Sequence, residues 1–147
     1  MAFGIVECRA VAASNGNGLV GLVIVSHSAA IAGGLAELVA QVAGPDVPIV
    51  TAGGGPDGTL GTDGGRVLEA LRTVDEAGAV VLADLGSSLL SVKAALAELS
   101  PGEAGRIVLA DAPLVEGAIA AGVTASTGAS MAEVAAAAEE ARRVSKL

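Results

Sequence analysis

A chain of 147 residues with eight Lys plus Arg against sixteen Asp plus Glu is one domain with room for a core, and its net charge of −8 excludes a nucleic-acid groove. Hydrophobic residues make up 52%, yet Trp and Tyr are absent and Phe3 is the only aromatic, which excludes recognition by stacking on bases or sugar rings. The single Cys8 excludes an internal disulfide and suits a reducing cytoplasm, and no apolar stretch is long enough to cross a bilayer.

Residues 1–18 read as an N-terminal extension. They show no basic segment ahead of an apolar core, so no secretory signal is expected. Ile5 and Val6 are a candidate edge strand, and Asn15-Gly16-Asn17-Gly18 is expected to be a flexible joint. The domain proper is expected over 19–147. Within it, Val20–Val25, Ile49–Ala52, Ala79–Ala83 and Ile107–Ala110 are short continuous apolar runs, the pattern of strands buried on both faces.

Helical patterns lie between these runs. Ile31, Leu35, Leu38, Val39 and Val42 are predicted to form one buried face, with Ser28 as N-cap and Gly44-Pro45 as the stop. A second stripe, Val67, Leu68, Leu71 and Val74, follows Thr62 and ends at Gly78. A third, Leu89, Val92, Leu96 and Leu99, follows Ser87 and is stopped by Pro101-Gly102. Another helix is predicted after Pro113, and an Ala-rich one over Ser130 to Ser145. The expected fold is α/β: a doubly wound, mainly parallel sheet of four to five strands with helices on both faces.

A parallel sheet brings three loops to one rim: Ser26-His27-Ser28, the glycine-rich Gly53 to Asp63, and Asp84-Leu85-Gly86-Ser87-Ser88. The first and third lead directly into helices, so backbone N–H groups favour an anion there, with no Lys or Arg in the loops to clamp it. His27, the only histidine, can attack phosphorus through one ring nitrogen if the other is held, and Asp84 is the right kind of group to hold it. The plain alternative is that His27 packs and Asp84 caps a helix. Ser26 is adjacent to His27, so the two should point to opposite faces and form no dyad. A hydrolase would need Ser87 or Ser88 against His27, and no nucleophile-elbow pattern is present. One His and one Cys leave only carboxylates, so no metal site is expected. Glu116 reads as an ordinary helix start, and Glu139-Glu140 with Arg142-Arg143 as a solvated helix face.

Four segments in order, Leu22-Val23-Ile24-Val25-Ser26-His27-Ser28, Gly61-Thr62-Asp63, Asp84-Leu85-Gly86-Ser87-Ser88-Leu89-Leu90-Ser91 and Ala112-Pro113-Leu114-Val115-Glu116-Gly117, resemble the phosphotransferase subunit of phosphoenolpyruvate-dependent dihydroxyacetone kinase, a relative of the mannose-type enzyme IIA domains. The resemblance runs from about Leu19 to the C-terminus. It implies that His27 accepts phosphate from the histidine-containing phosphocarrier protein and passes it to ADP held on the nucleotide-binding kinase subunit. A further subunit holds dihydroxyacetone. It also implies that Asp84 pairs with His27, and that Ser28, Gly61, Thr62, Gly86 and Ser87 surround the phosphate. No cofactor is implied beyond the transient phosphate and the partner's ADP/ATP. A cytoplasmic homodimer is implied, with neither nucleic acid nor membrane as partner. Two alternatives stand beside this: a IIA component of a mannose-type sugar transporter, and a regulatory module that binds an anion without transferring phosphate.

Overall fold

The computed structural model of the chain describes residues 17–147. Ile5, Val6 and nearly all of the expected extension therefore lie outside the described residues. The described half of the expected joint is fastened: the Asn17 amide donates to the Asp46 carbonyl at 2.8 Å and its oxygen accepts from the Leu19 N–H.

Four parallel strands, β1 (Gly21–Ser26), β2 (Ile49–Gly53), β3 (Ala79–Ala83) and β4 (Ile107–Leu109), are ordered β2-β1-β3-β4. β1 begins and ends one residue later than the apolar run suggested. Val20 is buried, but ladder bonding starts with the Gly21 N–H donating to the Gly78 carbonyl. β4 stops at Leu109, although the Ala110 N–H still donates to the Val81 carbonyl.

All six residues of β1 and all five of β3 are buried, so alternate side chains feed two cores. Leu22, Ile24, Val80 and Leu82 face one core, covered by α1 (Ala29–Ala43), α5 (Leu114–Ser126) and α6 (Met131–Glu140). Val23, Val25, Val81 and Ala83 face the other, covered by α2 (Gly64–Arg72) and α3 (Gly86–Glu98). The expected doubly wound α/β sheet is the fold observed, with four strands among the described residues.

The buried face of α1 differs from the expected one. Ala32, Leu35, Ala36 and Val39 are buried, whereas Ile31, Leu38 and Val42 stand about half exposed. Small residues let this helix sit close to the sheet, which turns its bulky ones outward. α2 starts one residue later than Thr62 implied, because Asp63 caps it through Gly65 and Arg66 N–H, and it ends at Arg72, well short of Gly78. Pro101-Gly102 stops α3 but also opens a short helix, α4 (Pro101–Ala104), through a capping box between Ser100 and Glu103. Ser130 and Glu133 cap α6 in the same way. After α6 a 3₁₀ turn, Ala141–Arg143, completes the helical segment.

Part of the expected solvated face is a clamp. Glu139 accepts the Asp111 N–H, and the Arg142 guanidinium reaches both the Asp111 carbonyl and its carboxylate, tying the chain's end to the exit of β4. Arg143 and Glu140 are exposed at 3.4 Å, as expected of a solvated pair. Glu116 pairs with Lys146 at 2.7 Å.

Candidate active site at the carboxyl rim of the sheet

β1 and β3 are neighbours in register, Val25 beside Ala83, so the residues just beyond them meet at the rim. Ser26 therefore lies beside Asp84, and the Ser26 hydroxyl donates to Asp84 Oδ2 at 2.8 Å. The His27 N–H donates to the same oxygen at 3.0 Å, while its ring Nδ1 lies 2.9 Å from Asp84 Oδ1. As expected, Ser26 and His27 form no dyad; the carboxylate joins them instead. On its other side, the His27 carbonyl accepts the Gly61 N–H at 2.9 Å.

The start of α3 completes the setting. Ser88, one helical turn beyond Asp84, donates its hydroxyl to Asp84 Oδ1 at 2.7 Å and lies 3.0 Å from His27 Nδ1. The Leu85 N–H donates to Oδ1 at 2.7 Å. Ser26 and Ser88 are fully buried, and every buried side-chain nitrogen or oxygen among the described residues has a partner. Partial burial alone would raise the Asp84 pKa. The Ser88 hydroxyl, the His27 backbone N–H and ring, and the Ser26 hydroxyl outweigh it and hold the carboxyl well below the usual carboxylate range.

This network assigns the ring proton. Ser88 has one hydroxyl hydrogen, directed at Asp84, so Nδ1 faces an ionised carboxylate and a committed donor. Both accept, so Nδ1 carries the hydrogen and the lone pair is on Nε2. Nε2 accepts from the Ser87 hydroxyl at 2.5 Å, on the solvent side. The His27 side chain is 27% exposed against 14% for Asp84, and the contact at Nε2 is exposed whereas those at Nδ1 are half-buried.

The other expected phosphate positions separate. Gly86 and Ser87 open α3, whose N-cap is Leu85 and whose first-turn amides have no capping side chain, next to Nε2. The Ser28 hydroxyl instead caps α1 by accepting the Ile31 N–H, and its own N–H donates to Ser26. The Gly61 amide is committed to the His27 carbonyl, so it positions the histidine backbone. Thr62 is half-buried and precedes the Asp63 cap.

The sequence reading named Ser26 and Ser88 without the carboxylate that joins them to His27, and it missed Arg66. Ser26 and Asp84 share strand parity on adjacent strands, and Ser88 follows Asp84 by four residues, signals usable once the strand order is known. Arg66 donates to the Gly53 carbonyl at 3.4 Å and pairs with Asp63 at 3.6 Å, bracing the base of the glycine loop. At Gly53 itself a Cβ would lie 2.7 Å from Ala29 Cα, so only glycine lets the second strand approach the first turn of α1.

Ser87, His27 and Asp84 have the contact order of a hydrolytic triad, but Ser87 sits in the first turn of a helix, on no nucleophile elbow. Among the described residues no group of three or more His, Cys, Asp or Glu is placed to hold a metal, and no helix is long and apolar enough to cross a membrane.

Residues 21–135 match the family described as PTS system fructose IIA component, EIIA-man. The chain is 44% identical over 120 residues to a Providencia stuartii protein named PEP-dependent dihydroxyacetone kinase, phosphoryl donor subunit DhaM, a match spanning 79% of this chain and 25% of that one. The Escherichia coli protein of the same name is 42% identical over 120 residues, with the same coverage. The chain thus spans about a quarter of the length of these two relatives. It is also 34% identical over 106 residues to a Listeria innocua protein named PEP-dependent dihydroxyacetone kinase 2, phosphoryl donor subunit DhaM, spanning 71% of this chain and 85% of that one. A crystal structure of a protein of unknown function superposes with a TM-score of 0.74 at 32% identity, covering 82% of this chain and 93% of that one.

Proposed function

We propose, from the premise that the chain belongs to the EIIA-man family of phosphotransferase-system IIA components and is similar to dihydroxyacetone kinase phosphoryl donor subunits, that it relays phosphate through His27 Nε2 to a kinase. The donor in this reading is the phosphohistidine of the phosphocarrier protein. The acceptor is ADP on the kinase's nucleotide-binding subunit, which serves a dihydroxyacetone-binding subunit. The protein works as a cytoplasmic homodimer with no resident cofactor.

The observation that carries the reading is the division of labour on one imidazole: Nδ1 held by Asp84, Nε2 open at the rim. The Nε2 lone pair attacks phosphorus as the donor's P–N bond breaks, and the departing nitrogen keeps the bonding pair. Positive charge on the ring is then offset by Asp84, which stays ionised. The first-turn amides of Gly86 and Ser87 face the incoming phosphoryl oxygens, and Ser87 can turn its hydroxyl from Nε2 to one of them. The return step reverses these events toward a β-phosphate oxygen of ADP. Positioning and charge balance supply the catalysis, because both steps exchange phosphate in line.

The test is incubation with phosphoenolpyruvate, enzyme I and the phosphocarrier. The expected result is one acid-labile, base-stable phosphate per chain, lost in His27→Ala. Unlabelled native protein would overturn the reading and leave a regulatory anion-binding module. The family's description as a fructose IIA component favours one second reading, a transporter IIA component. Labelled protein that fails to discharge to ADP on the kinase subunit, yet discharges to a transporter's IIB domain, would select it.

A further inference from the structure

α1 and α5 pack against each other with little between them: a Cβ at Gly122 would lie 2.5 Å from Val39 Cγ1 and 3.3 Å from Ala43 Cβ. Outside that contact each helix carries an apolar stripe on the flank facing the other. On α1 it is Ile31, Leu38 and Val42, spaced seven and four residues apart; on α5 it is Val115, Ile119 and Val123, spaced by four. Ile31, Leu38, Val42, Val115 and Val123 are each between 42% and 52% exposed, so the two stripes make an apolar groove along the outer face of this layer. No charged residue belongs to either stripe. Such a surface calls for an occupant.

The chain supplies one. Asn17 is fastened to the Asp46 carbonyl, just beyond the end of α1, so the preceding segment emerges beside the Val42 end of the groove. That segment, residues 1–16, carries Met1, Phe3, Ile5, Val6 and Val11 against two opposite charges, Glu7 and Arg9. From Val42 to Ile31 the groove runs about 16 Å at the helical rise, whereas thirteen residues reach about 20 Å as helix and about 43 Å extended. Phe3 therefore reaches any point of the groove in either conformation. We propose that residues 1–16 are the groove's occupant, seating Phe3 and its apolar neighbours between α1 and α5 of their own chain. This docking is independent of the phosphoryl relay, since it uses neither His27 nor the groups around it.

The absence of Trp makes the test direct: Phe3→Trp in the full chain introduces a single indole. The expected result is an emission maximum shifted to the blue of the same protein in denaturant, unchanged on hundredfold dilution. Adding Leu38→Lys or Val123→Lys, both at exposed positions, should move it back toward the denatured value while circular dichroism stays native. Emission already at the denatured value would overturn the proposal. So would a blue shift insensitive to both lysines, which places the segment elsewhere, or one lost on dilution, which makes a second copy the occupant. Loss of the native dichroism with lysine is resolved by Leu38→Gln, judged by the same shift.

Discussion

Ser88 and Asp84 lie one helical turn apart where β3 passes into α3, and the Ser88 hydroxyl donates to Asp84 Oδ1 while sitting 3.0 Å from His27 Nδ1. A single buried hydroxyl thus touches both members of the histidine–carboxylate pair. It fixes which Asp84 oxygen faces the ring, and it keeps the ring's hydrogen on Nδ1.

Ser88→Ala is expected to leave His27 able to accept phosphate but to slow transfer by roughly tenfold, as the carboxylate loses a donor, and to cost about 1–3 kcal/mol of stability. Asp84→Asn should slow it by roughly 10² to 10⁴-fold, since the amide can no longer balance the ring charge. Rapid-quench labelling from the phosphocarrier gives the rates, and nitrogen chemical shifts of the ring report the tautomer. A Ser88→Ala protein with the native tautomer and native rate would show that the hydroxyl only packs.

Acid should reveal Asp84. Its folded pKa lies below the ordinary value of about 3.9, so its contribution to stability is complete above that value and is lost as pH falls through the folded pKa. The native protein should therefore exceed Asp84→Asn in stability above about pH 5. The margin should narrow below about pH 4. Glu103 and Glu133, lowered by the amides and hydroxyls of Ser100 and Ser130, titrate alike in both proteins and cancel in the difference. Urea midpoints at four pH values measure it.

Two helical glycines should respond in opposite directions. Gly122→Ala drives a methyl into Val39, 2.5 Å away, and should destabilise by about 1–3 kcal/mol. Gly34→Ala, in α1 with nothing within 4 Å, should stabilise by about 0.5–1 kcal/mol through helix propensity. Thermal melts of the two variants beside the parent decide it. Equal effects would mean that α1 and α5 are not in close contact.

By itself the sequence determined the strands and the placing of the one histidine. Leu22-Val23-Ile24-Val25 is apolar at every position because both faces of β1 are covered, and burial on two sides writes itself into consecutive residues. It also placed His27 and Asp84 each at a strand's end, since the polar residue that follows an apolar run marks the rim.

Tertiary structure decided what those residues touch. Periodicity carries no strand order. Only the β2-β1-β3-β4 sequence of neighbours brings Ser26, His27, Asp84 and Ser88 within hydrogen-bonding reach and sends the Gly61 amide to the His27 carbonyl. The exposed side of α1 was hidden for the same reason. Ile31, Leu38 and Val42 are as apolar as Leu35 and Val39, and which of them meets the sheet depends on the small residues that let α1 and α5 close together. Local pattern reflects how deeply a residue is buried, whereas contacts between residues distant in the chain arise from packing that no single segment contains.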